Sequence, residues 1–148
     1  MTAQDFIGRV ALVTGAGVGI GRATAELLAA RGAFVGIHYR SSAEAAAAVL
    51  AGIRARGGDG ILLPGDLIHE EAAQSIVERL VAEAGRLDVL VNNAGSPVER
   101  ARLEECSPAL WRLVIDTNLN SAFMVTHFAI PHLRASGKGA IVNNLSLS

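Results

Sequence analysis

Between an apolar run at residues 9–14 (RVALVT) and a helical stretch at residues 21–30 stands TGAGVGIG, with glycine at four of its eight positions. A glycine-rich turn from strand into helix lets the backbone come close to a pyrophosphate. There the free N–H groups and the dipole of the helix N-terminus favour an anion. The frequent G-x-G-x-x-G spacing does not fit: counted from Gly15 its last position is Ile20, and counted from Gly17 it is Arg22. T-G-x-x-x-G-x-G does fit, on Thr14, Gly15, Gly19 and Gly21. Gly15, Gly19, Ile20 and Gly21 are therefore candidate dinucleotide-binding residues.

The alternation of strand and helix continues along the chain. Short apolar runs at residues 33–39, 60–65, 88–92 and 140–145 read as further strands. Residues 42–56, 69–84 and 107–135 read as helices, the last opened by a Ser107 cap with Pro108 in the first turn. The segment NLNS, residues 118–121, is a poor helix interior and is expected to break that helix. The strands are nearly continuous in apolar residues rather than alternating, the pattern of a parallel sheet buried on both faces. Regular alternation then gives βαβ units in one α/β, doubly wound, Rossmann-like domain.

Composition bounds the function. The 148 residues suffice for one domain, and 51% hydrophobic against 18% charged residues excludes a disordered chain. A net charge of -1 offers no basic surface for nucleic acid. No apolar run approaches the roughly 18 residues of a membrane span, and the N-terminus lacks the pattern of a secretory signal. A single cysteine, Cys106, precludes a disulfide framework. His127 and His132, five apart, lie off a common helix face, so no metal site is expected. Trp111 and Phe123 read as core or interface packing. A soluble, cytoplasmic protein with no nucleic-acid or membrane partner is expected.

Several segments together resemble the short-chain dehydrogenase/reductase family. TGAGVGIG matches its cofactor motif and GDL, residues 65–67, its acidic position after the third strand. NNAG, residues 92–95, matches the signature after the fourth strand. Asn118 in DTNLNSAF matches the family's helical asparagine, and GAIVNNLS its fifth strand. The resemblance implies a sheet in the order 3-2-1-4-5 and hydride transfer between NAD(P) and a small-molecule carbonyl or secondary alcohol. For the full-length family member it implies a homo-oligomer. It also implies that Asp66 and Leu67 lie beside the adenine and that Asn93, Ala94 and Gly95 back the ribose. The choice of cofactor follows from the end of the second strand, where an NAD site carries a carboxylate for the ribose 2′-OH. The sequence there reads HYRSSAE, with no aspartate. Arg40 offers forked cationic donors to a 2′-phosphate, and Ser41 and Ser42 add hydroxyls. NADP is the expected cofactor and NAD the lesser alternative.

For the chemistry, the family uses a serine, a tyrosine and a lysine, with an asparagine completing a water relay. Ser146 aligns with the serine and Ser148 is the second choice; Asn118 matches the relay asparagine. The family's Tyr-x-x-x-Lys pair is not in the sequence, whose one tyrosine is Tyr39 and whose one lysine is Lys138. Residues 1–148 are therefore expected to be the cofactor-binding part of an NADP-dependent oxidoreductase, an incomplete domain whose C-terminal strands are missing. The alternative is a non-catalytic dinucleotide-binding module or partner subunit.

Overall fold

A computed structural model describes residues 4–145. The chain runs β1 (Val10–Val13), α1 (Gly19–Ala30), β2 (Phe34–Tyr39), α2 (Ala43–Ala55), β3 (Asp59–Pro64), α3 (Glu70–Ala84), β4 (Val89–Asn92), α4 (Pro108–Ile115), a π-helical segment (Asp116–Asn120), α5 (Ser121–Ala135) and β5 (Ala140–Asn143). The five strands form one parallel sheet in the order β3-β2-β1-β4-β5.

Side chains of successive strand residues point to opposite faces, and β1 shows what that does. Ala11 and Val13 join Ala25 and Ala29 of α1 and Val49 and Ile53 of α2 in one apolar cluster. Val10 and Leu12 join Ile76 and Leu80 of α3 and Val125 and Ala129 of α5 in the other. Strand β4 divides likewise, Val89 and Val91 to the first cluster and Leu90 to the second. A strand covered on both faces needs apolar residues at every position, hence the unbroken runs in the sequence. Asp88, just before β4, is an exception inside this core at 1% exposure. Burial alone would raise its carboxyl pKa. Hydrogen bonds from Arg86 Nε (2.8 Å) and the Val10 N–H (2.9 Å) outweigh that and hold it below the usual carboxylate range.

Three sequence expectations need correction. First, NLNS does not break its helix. The chain passes from α4 to α5 through a π-helical turn, in which the Ser121 N–H donates to the Asp116 carbonyl five residues back. Second, β5 is exposed along its whole length, with Val142 at 52%, so burial on both faces holds for the inner strands and not for this edge. Third, of the core and interface readings of Trp111 and Phe123, exposures of 56% and 66% exclude the core. Helix α1 also starts at Gly19, two residues before the sequence pattern placed it.

Candidate cofactor-binding site

All strands are parallel, so their C-terminal ends lie along one edge. The connection leaves β1 toward β2 on one side, while β4 takes up the other. Such a reversal opens a crevice outside the carboxyl ends of the strands. Here it is a cleft of about 180 Å³ lined by Gly15, Val18, His38 to Ser42, Gly65 to Ile68, Ala94 to Ser96, Thr117 and Ser121.

The glycine turn forms the floor. Gly15 has φ +63° and Gly19 φ +56°, left-handed values that disfavour any other L-residue. Gly21 is needed for space: a Cβ there would meet the Gly15 carbonyl oxygen and Asn93 Nδ2. That contact brings α1 directly onto the strand ends. Val18, at the N-cap, supplies no side-chain acceptor to the first turn of α1. These N–H groups are consequently available to a bound anion.

The fourth-strand signature braces the turn. Thr14 Oγ1 accepts from the Asn93 and Ala94 N–H groups, both at 2.9 Å. Asn93 Nδ2 donates to the carbonyls of Thr14 (3.0 Å) and Gly15 (3.2 Å). Beyond β4, Asn118 clasps the next loop: the Ser96 N–H donates to its Oδ1 at 2.9 Å, and its Nδ2 donates to the Ser96 carbonyl at 2.7 Å. The same Nδ2 donates to the Val114 carbonyl at 2.9 Å, so the π-helical segment and the Gly95–Ser96 loop are held together.

At the end of β2, Tyr39 is followed by exposed Arg40 and Ser41 and by Ser42, the N-cap of α2. The first carboxylate after the strand is Glu44, inside the first turn of α2. Asp66, after β3, is half-buried on the cleft wall and accepts the Ile68 N–H at 3.3 Å.

The model of the family described as "short chain dehydrogenase" matches residues 9–148. The chain belongs to this family. It is 43% identical over 144 residues to cis-4-hydroxycyclohexanecarboxylate dehydrogenase of Sinomonas cyclohexanicum, covering 97% of this chain and 57% of that protein. Among solved structures, it resembles NADH-dependent reductase A1-R' complexed with NAD (TM-score 0.91, 38% identity, 97% of this chain and 62% of that one). It also resembles a metagenomic short-chain oxidoreductase in complex with NADP (TM-score 0.90, 37% identity, 97% and 64%). The chain thus spans a little over half the length of the curated relative. Family membership makes it part of an oxidoreductase lineage, and its relatives include both NAD and NADP complexes.

Within this short-chain dehydrogenase fold, Gly15, Gly19, Ile20, Gly21, Arg40, Ser41, Asp66, Leu67, Asn93, Ala94 and Gly95 are all carried on the strand-end edge, on the turns and helix starts that follow β1 to β4. Ile20 is 67% exposed and borders a second groove, beside β4 and β5, rather than the cleft. Ser146 and Ser148 lie outside the described residues. Tyr39 ends β2 and Lys138 precedes β5, so they stand at opposite ends of a parallel sheet.

Two contributors escaped the sequence reading. Gly17 falls outside the glycine spacing, yet a Cβ on it would meet Ser42 Oγ, so the turn packs against the start of α2. His38, 2% exposed, hydrogen-bonds both Gly15 and Gly65. Its one sequence signal was a polar residue inside an otherwise apolar buried strand.

Proposed function

We propose that the chain binds NADP(H) at the strand-end cleft, as the cofactor-binding part of an oxidoreductase acting on a small carbonyl compound or secondary alcohol. The observation that carries this is the sequence Tyr39-Arg40-Ser41-Ser42 at the cleft rim, where a guanidinium and two hydroxyls follow β2 before any carboxylate. The glycine turn suits the group: Gly15 and Gly19 take the left-handed conformation of the turn, Gly21 lets α1 start directly against Gly15 and Asn93, and the uncapped start of α1 offers N–H donors to the pyrophosphate. Arg40 is a forked, permanently charged donor suited to a 2′-phosphate, with Ser41 and Ser42 beside it. Asp66 and Leu67 form the adenine wall. Asn93, Ala94 and Gly95 back the ribose, held by Thr14.

Bound there, the cofactor supplies the hydride chemistry, and the protein must orient it and handle a proton at the substrate oxygen. Ser146 is the proposed group that polarises this oxygen, with Ser148 the second choice, and Asn118 is the proposed relay residue, fixed by its clasp on Ser96. Tyr39 and Lys138, at opposite ends of the sheet, do not form the proton-handling pair with each other. The exposed Trp111, Leu119 and Phe123 support association with a second copy in the longer protein.

The test is the affinity of wild type and Arg40→Ala for NADPH and NADH, by fluorescence titration. Wild type is expected to prefer NADPH. Arg40→Ala should weaken NADPH by about 1–3 kcal/mol, the scale of a charge-assisted contact, and leave NADH unchanged. Equal or stronger binding of NADH by wild type contradicts the assignment.

A further inference from the structure

His38 lies two residues before Arg40 on β2, and the cofactor reading makes no use of it. Both edges of its buried ring are engaged. The Gly15 N–H donates to Nδ1 at 3.0 Å, and Nε2 stands 3.0 Å from the Gly65 carbonyl oxygen. These partners decide the protonation state. An N–H presents only a proton, so Nδ1 must be bare; a carbonyl presents only lone pairs, so Nε2 must carry the hydrogen. The ring is therefore the neutral Nε2–H tautomer. The backbone adds to the link, since the Ala16 N–H donates to the His38 carbonyl at 2.8 Å. One imidazole ties the left-handed hinge of the glycine turn to the residue that introduces Asp66 and Leu67.

We propose that His38 is a positioning residue for the dinucleotide: neutral, it locks the glycine turn to the Gly65–Asp66 wall, and dinucleotide affinity depends on that neutral form. The proposal rests on the cofactor reading above. Protonation would set a new N–H against the Gly15 N–H, so a hydrogen bond becomes two opposed donors and the turn loses its β2-side anchor. Asp66, on the connection after β3, is the nearby charge that favours the ring's charged form. Tyr39 ends its own strand and Arg40 follows just beyond it, and Thr14, Gly15 and Ala16 of the turn carry no titratable side chain. Burial is the larger influence; it outweighs the Gly65 bond and Asp66 and holds the imidazole below its ordinary pKa of 6.5. Affinity is accordingly complete through the ordinary histidine range and falls only at more acidic pH, where the buried ring takes its second proton.

The experiment is calorimetric titration of the full chain with NADP⁺ at about pH 8 and at the most acidic pH at which circular dichroism shows the chain still folded, since burial moves the ring below the ordinary histidine range. His38→Asn and His38→Leu are run alongside. The 2′-phosphate itself titrates near pH 6, so the difference between wild type and His38→Asn is the quantity that counts. Asn keeps an acceptor for Gly15 and does not titrate. It should bind within about threefold of wild type at the higher pH and lose the extra acid-side weakening. Leu should bind about tenfold more weakly at both, the scale of one lost hydrogen bond. Identical pH profiles for wild type and His38→Asn, or wild-type affinity in His38→Leu, would overturn the proposal. Absence of NADP⁺ binding by wild type at the higher pH would instead strike the cofactor reading. Nitrogen NMR of the His38 ring in the free chain separates the two and survives a variant that fails to fold. A bare, hydrogen-bonded Nδ1 and a protonated Nε2 near neutral pH are expected, and the opposite tautomer or a charged ring refutes the lock.

Discussion

At the residue scale, the glycines divide into two kinds that the sequence does not distinguish. Gly19 is required by its backbone, φ +56°, with open space where a Cβ would stand. Gly21 is required by contact, because a Cβ would press on the Gly15 carbonyl and Asn93 Nδ2. Gly21→Ala should therefore cost about 3 kcal/mol of stability through forced overpacking, and Gly19→Ala about 1 kcal/mol of backbone strain. Thermal melts of the two variants check the ranking; a milder effect at Gly21 than at Gly19 would contradict the packing described. The glycine spacing was legible because few residues tolerate such a turn. The His38 bridge was not, because its partners, Gly15 and Gly65, lie 23 and 27 positions away and neither bond leaves a local pattern.

At the scale of elements, the strands were legible because a parallel sheet covered on both faces demands apolar residues throughout, and helices α1 to α3 because alanine and leucine recur on their buried sides. Their ends shifted by only one or two residues. The segment NLNS was misjudged for a physical reason. Asparagine is a poor helix former by itself, but Asn118 makes three hydrogen bonds, to both Ser96 backbone groups and to the Val114 carbonyl, that propensity does not count. The π-helical turn accommodates the residues at which that clasp is made, and such turns occur often at functional sites. Asn118→Ala should cost about 1–2 kcal/mol, the exposed setting keeping the value modest, and should speed amide exchange at Ser96. Hydrogen-exchange mass spectrometry or NMR reads this directly; unchanged protection of Ser96 would mean that the clasp does not hold the loop.

At the scale of the whole molecule, two faces differ in character. The inner strands are sealed between α1 and α2 on one side and α3 and α5 on the other. Two separate surfaces are apolar and open: Val142 of β5, on the α1 side of the sheet, and Trp111, Leu119 and Phe123 on α4, the π-helical segment and α5, all four more than half exposed. Among the described residues no helix is long and apolar enough to cross a membrane. The order β3-β2-β1-β4-β5 was legible only through family resemblance, since strand periodicity carries no information about which strands are neighbours. The candidate site residues were read from their motifs, and this order gathers them, though distant in sequence, at one edge. If this edge is a dinucleotide site, amide chemical-shift mapping of the chain during NADPH titration reveals it residue by residue. Shifts are expected to concentrate at Gly15 to Gly21, Arg40 to Ser42, Asp66, Leu67 and Asn93 to Gly95, with α3 and the N-terminal ends of the strands silent. Shifts confined to β5 or to α4, or none at saturating cofactor, would rule the dinucleotide site out.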